Sequence, residues 1–234
     1  MRLLRLLPLL LCAVASAAQS PAQTSTQTVD RVIAEVNRQV ITQQDLQQAE
    51  LLAALMDGRP PNSVSLTRDA LEKLIEATLL RQQVESAGYP MPAAAELGAE
   101  VARVRKQMAG DVPDQEWRRR LAEYDLTEED FAARIGEQMQ QLAFVAARFR
   151  PAIRISREEI ADYYQNTFLP RFKARAPGAA PPPMASVSSK VRDILAAERT
   201  NQMLTAWLRS VRSQAVVRVL AVLPANQGRV SNGR

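Results

Sequence analysis

The segment AVVRVLAVL, Ala215–Leu223, is rich in valine and reads as a β-strand near the carboxy terminus of a chain whose patterning is otherwise helical. A lone strand leaves backbone N–H and C=O groups without partners, so it must pair elsewhere. The other strand pattern lies at the opposite end, where VDRVIAEVNRQVIT alternates apolar and polar residues around Asn37, Arg38 and Gln39 and reads as a hairpin over Val29–Ile41. The two ends therefore meet. The expected fold is mainly α: a multi-helix module with a small β-sheet formed by the amino-terminal hairpin and the carboxy-terminal strand.

Between the strands, helix signals follow one another. Thr42 precedes Asp45 by three residues, a near capping box, and opens a helix that ends before Asp57, Gly58, Arg59, Pro60 and Pro61. Leu71, Leu74, Ile75, Thr78, Leu79 and Gln82 share one face of a second helix that stops at Gly88. A third runs from Pro92, as a first-turn residue, to Met108 and ends at Gly110. Asp114 is the expected cap of a short helix with Trp117 and Leu121. Thr127 and Asp130 cap a long one whose stripe of Phe131, Ile135, Met139, Leu142, Ala146 and Phe149 should be central to the core. Pro151 ends it, and Ser156 with Glu159 forms a full capping box ahead of Ile160, Tyr163 and Tyr164. The proline-rich run over 169–186 reads as an extended linker, followed by a last helix through Val187, Val191, Ile194, Leu204, Trp207 and Val211. Met139, Leu204 and Trp207 lie within helical stripes and are expected in the core.

The first eighteen residues read as a secretory signal peptide: Arg2 and Arg5, an apolar run Leu6–Val14, then small residues, with cleavage after Ala17 or Ala18. The apolar run falls short of the roughly 20 residues of a bilayer-spanning helix. The expected location is the periplasm, without stable membrane insertion. A polar spacer over 19–28 and a tail over 224–234 are expected to be disordered. The single cysteine, Cys12, lies in the leader, and Leu11 before it is too large for a lipoprotein cleavage site. Removing 18 of 234 residues leaves 216, with no cysteine and hence no disulfide.

Histidine is absent throughout. The chain without its leader thus lacks the usual ligands of zinc, copper and haem and the usual thiol and imidazole catalysts. No cofactor, metal or catalytic residue is expected, and the chain is read as no enzyme. Glu128–Glu129 and Glu158–Glu159 fall in first helical turns, where negative charge favours the helix dipole, which is the structural reading of both pairs. Loss of the leader takes the formal net charge from +5 to +3, with both signs interleaved, and nucleic acid is not an expected partner. Arg118, Arg119 and Arg120 are read as a solvated helix face.

Taken in order, the VDRVIAEVNRQVIT hairpin, the LEKLIEATLLRQQVESAGY helix, a charged helix, LTEEDF and RISREEIADYYQ resemble the amino-terminal chaperone module of SurA. Val29, Asp30, Val32, Ala34, Val36 and Asn37 match the family's strand-turn-strand pattern, and Leu74, Ile75, Leu79, Leu80 and Gly88 match its following helix. The likeness covers Val29 to about Asn166 (domain 29–168) and resumes over 187–223, where the family's last helix and strand fold back on the module. In the family, one or two parvulin-type prolyl isomerase domains usually stand between the two parts. The stretch Phe168–Ser186 cannot hold one, so isomerase activity is not carried over.

The resemblance implies an ATP-independent chaperone, or holdase, that binds unfolded outer-membrane polypeptides in an apolar cleft. Met108, Trp117, Tyr124, Tyr164 and Phe168 are the candidate client-binding residues, because each lies at a helix end or off the main apolar stripe; packing in the core or at a hinge is the competing reading of each. Rival functions are an envelope adaptor with one dedicated partner and, last, a prolyl isomerase. The tethered last helix also allows a domain-swapped dimer.

Overall fold

The computed structural model describes residues 30–224. The expected leader, the spacer and all but the first residue of the expected tail lie outside the described residues.

The hairpin forms from β1 (Val32–Val36) and β2 (Gln39–Thr42), joined by a two-residue turn at Asn37 and Arg38. Asn37 takes φ of 58°, a left-handed conformation that asparagine tolerates better than most residues. A register shift between Val32 and Ala34 puts both Ile33 and Ala34 inside, where strict alternation would expose one of them. The last strand, β3 (Val217–Val219), pairs antiparallel with β1, giving the order β2-β1-β3. Closure of the two ends is thus realised within one chain.

That strand is shorter than the alternating pattern suggested. Ala215 caps the preceding helix, and beyond Val219 the chain bends so that Leu220 and Ala221 both donate to the carbonyl of Ile33, at 2.8 and 3.2 Å. Pro224 accepts from the Arg68 amide at 3.0 Å, which ties the first tail residue to the start of the second helix.

Three capping boxes open helices where the sequence placed them: Thr42 with Asp45 for α1 (Gln43–Met56), Thr127 with Asp130 for α5 (Glu128–Phe149), and Ser156 with Glu159 for α6 (Arg157–Tyr163). Thr67 caps α2 (Arg68–Ser86) by accepting from Ala70. Two expected starts shift. Helix α3 (Ala94–Ala109) begins two residues after Pro92, with Ala93 as its cap. Helix α4 (Asp114–Ala122) has Pro113 at its cap position, and Asp114 instead meets Arg105 at 2.8 Å.

The expected linker over 169–186 is extended only at its centre. After α6 the helix continues through a π-turn at Tyr164–Phe168 into α7 (Leu169–Arg175). Pro170 has no N–H to give the preceding turn, and a local change of helical pitch absorbs the loss. Residues 176–183 are non-helical, and α8 (Met184–Gln214) starts directly after Pro183.

The interior divides into three clusters. One packs Ile33, Ala34, Val36 and Ile41 of the sheet on Leu71, Ile75 and Leu79 of α2. The second gathers the end of α1, Val104 of α3, Trp117 and Leu121 of α4, and Phe131 and Ile135 of α5. There Trp117 and Phe131 meet edge to face, with centroids 5.2 Å apart. The third joins Val84 to Phe144, Val145 and Phe149 of α5, against Leu204 and Trp207 of α8. Helix α5 thus belongs to two cores, its first half to the second cluster and its second half to the third. Gly136 lets it lie close to the segment before α3, since a Cβ there would stand 3.1 Å from Met91 Cε.

Candidate functional site

The expected stripe of α5 does not hold along its whole length. Phe131, Ile135 and Phe149 are buried and Met139 is partly buried, but Leu142 is 62 % exposed and Phe144 and Val145 face inward in its place. The cause is the change of packing partner. The first half of α5 lies on α3 and α4, the second half on α2 and α8, and no single seven-residue face serves both.

Leu142 stands in a groove of about 1070 Å³ between α5, the segment 150–155 and α8. Its apolar surface comes chiefly from Leu142, Val145, Ile153, Ile155 and Leu204, with Ala146, Ala196 and Ala197 keeping it open through their small size. Gln138, Gln141, Thr200 and Asn201 add side-chain donors and acceptors, and Arg150, Arg192 and Asp193 add charge. From Gln138 to Arg150 the α5 wall is about 18 Å long at 1.5 Å per helical residue, which an extended chain spans in about five or six residues. A wide apolar trough with amide groups at its edge suits an extended polypeptide, whose own N–H and C=O groups need partners.

The walls are held by aromatic packing. Trp207 of α8 lies 5.9 Å from Phe144 and 6.0 Å from Phe149 of α5, and the Arg148 guanidinium sits over it at 4.7 Å. Arg199 of α8 meets Glu159 of α6 at 3.0 Å. Helix α8 is anchored further down by Arg212 against Glu72 at 2.7 Å and by β3.

The five candidate residues named from the sequence are divided between two other places. Trp117 is 2 % and Tyr124 6 % exposed, both packed in the second cluster with Met108 beside them, so none of the three lines the α5–α8 groove. The Tyr124 hydroxyl donates to the Arg59 carbonyl at 2.7 Å, which pins the end of α4 to the turn after α1. Of the two readings the sequence offered for Tyr124, client binding or core packing, its surroundings here are those of core packing. Tyr164 and Phe168 do come together, stacked 5.4 Å apart, with Phe172 stacked on Phe168 at 5.9 Å. The buried Tyr164 donates to the Pro182 carbonyl at 2.7 Å, so the first ring of this row ties down the chain's own proline-rich run. The groove residues were missed because an exposed leucine within a helical stripe carries the same sequence signal as a buried one.

The acidic pairs noted in the sequence sit at helix starts, and the three arginines of α4 have local partners. Glu128, Glu129, Glu158 and Glu159 all lie in first helical turns. Arg118 meets Glu128 at 3.0 Å, Arg119 pairs with Glu116, and Arg120 reaches the Met108 carbonyl at 3.5 Å. The Asp130 carboxyl is held below its ordinary value by hydrogen bonds from the Thr127 hydroxyl and amide. Among the described residues no group of three or more acidic, His or Cys side chains could hold a metal ion, and no helix is long and apolar enough to cross a membrane.

The model of the SurA-like N-terminal domain matches residues 4–143, more than half of the chain. The chain belongs to that family. Within this SurA-like chain the match takes in the hairpin, α1 to α4 and the first part of α5 as far as Ala143. The α5 wall of the groove therefore begins inside the family domain, and its α8 wall lies beyond the match. Comparison with curated proteins found no match.

Proposed function

We propose that the chain is an ATP-independent periplasmic holdase that keeps unfolded outer-membrane polypeptides from aggregating by seating short extended apolar segments in the α5–α8 groove. The observation that carries this is the groove itself, an apolar trough with an exposed leucine in a SurA-like chain. Holding needs only burial of apolar surface, at about 25 cal/mol per Å², and release when the client finds a better partner. No bond is made or broken, and no cofactor is required. Export rests on the leader pattern of Arg2, Arg5 and Leu6–Val14. The stretch Phe168–Ser186, which holds α7 and a short extended run, stands where the resembled family carries an isomerase domain, which supports a purely holding role.

The test is dilution of a urea-unfolded outer-membrane β-barrel protein with and without a stoichiometric amount of the chain, in the absence of ATP, with a prolyl-peptide isomerisation assay on the same preparation. Suppressed aggregation, no isomerase turnover and loss of suppression in Leu142→Gln are expected. Leu142 is exposed, so that substitution should alter stability by less than about 0.5 kcal/mol and report on binding. Full suppression by the variant would remove the groove from the account. No suppression by the wild type would favour a single dedicated partner.

A further inference from the structure

The charge around the groove is one-sided. Arg150 and Arg192 line it, opposed by Asp193 alone. Among the described residues neither arginine has an ion-pair partner, whereas Arg199 nearby is taken by Glu159. The remaining polar lining, from Gln138, Gln141, Thr200 and Asn201, is uncharged. An extended apolar segment in this trough would meet the positive charge of Arg150 near the end of α5, and Arg192 beside Asp193 near the start of the α8 wall.

We propose that the α5–α8 groove selects apolar segments that carry carboxylates, and discriminates against otherwise equal segments that carry lysine. The occupant is an extended polypeptide of about five or six residues with alternating apolar side chains and one or two Asp or Glu. This deepens, and rests on, the client-groove reading above. The guanidinium groups pair with carboxylates in planar, two-point geometry, so they add orientation as well as attraction. They are solvent-exposed, which keeps the preference modest and salt-sensitive. A modest preference suits a protein that must release what it holds.

The test is calorimetric titration of the full chain with three unlabelled peptides that share one apolar alternation and carry Asp, Ser or Lys at the polar positions. At low salt the Asp peptide should bind about three- to tenfold tighter than the Ser peptide, and the Lys peptide weaker than both. The ranking should collapse at about 1 M salt, where the screening length is about 3 Å. The double variant Arg150→Gln, Arg192→Gln should level the three affinities. Equal affinities for the three peptides, all lost in Leu142→Gln, would overturn the charge preference and leave the groove reading standing. No binding of any peptide would overturn both. Uptake of phosphatidylglycerol vesicles that depends on Arg150 and Arg192, without ranking among the peptides, would also overturn the proposal, by assigning the charge to a lipid surface.

Discussion

Asn37 adds side-chain bonds to the pairing of β1 with β3, and its replacement gives a two-step test of the closure. Its amide donates to the Val216 carbonyl at 2.7 Å, its Oδ1 accepts from the Val216 amide at 3.0 Å, and its Nδ2 donates to Gln82 Oε1 at 2.7 Å. One turn residue thus joins the hairpin, the junction of α8 with β3, and α2. Asn37→Gly keeps the left-handed backbone and removes the two side-chain bonds. At an exposed site these are worth about 0.5–1 kcal/mol each, so a loss of about 1–2 kcal/mol is expected. Asn37→Ala removes the same bonds and adds about 1–2 kcal/mol of left-handed strain, offset in part by the roughly 0.4–1 kcal/mol of extra unfolded-chain freedom that glycine brings. Alanine should therefore be the less stable of the two by about 0.5–1 kcal/mol. For a domain of this size each kcal/mol lowers Tm by about 2–4 °C, which thermal unfolding followed by circular dichroism resolves. Faster hydrogen exchange at the Val216 amide in both variants would place the effect at the closure. An alanine variant as stable as glycine, or both indistinguishable from wild type, would refute the reasoning.

Two further outcomes follow from single contacts. The carboxyls of Glu100, Glu116, Asp130 and Glu158 are each held below their ordinary values, chiefly by hydrogen bonds from Arg103, Arg119, the Thr127 hydroxyl and a backbone amide respectively. Groups with lowered folded-state values add stability above their ordinary values of 3.8 for Asp and 4.5 for Glu, and lose it as pH falls through the lowered ones. With no histidine in the chain, Tm should be level from about pH 5 to 8 and fall below about pH 4, less steeply in Thr127→Ala; a transition near pH 6.5 would contradict this. Tyr164→Phe removes the bond to Pro182, worth about 0.5–1.5 kcal/mol, and should speed trypsin cleavage after Arg175 while lowering Tm by no more than about 6 °C. Unchanged cleavage would mean that stacking alone holds the run.

Features written in local chemistry were legible in the sequence. The capping boxes at Thr42, Thr127 and Ser156 need only residues three apart, and the strand at the carboxy terminus had only one place to pair. Asp114 failed because the residue before it, Pro113, already supplies an extended backbone for the helix start, leaving the carboxylate free for Arg105. The linker was read too long because proline was taken as a break, whereas a π-turn carries the helix past Pro170. The site was the least legible part. Leu142 and Met139 are three residues apart on one helix and look equivalent, yet one faces solvent and the other a core, because α5 changes partners between them. Trp117 sits in a short, charged helix, and Tyr124 in the turn after it, and their apolar surroundings are complete only when α1, α3 and α5 are in place. Such information belongs to tertiary packing and has no local signal.

The most direct measurement is site-specific photocrosslinking. A benzophenone amino acid is placed at Leu142 in the groove and, as a control, at Glu100 on α3, and each protein is irradiated with an unfolded outer-membrane β-barrel polypeptide. Adducts at position 142 that disappear when the client is folded, with none at position 100, are the expected result. Equal adducts at both positions, or adducts at position 100 alone, would contradict the assignment of the α5–α8 groove as the place where client is held.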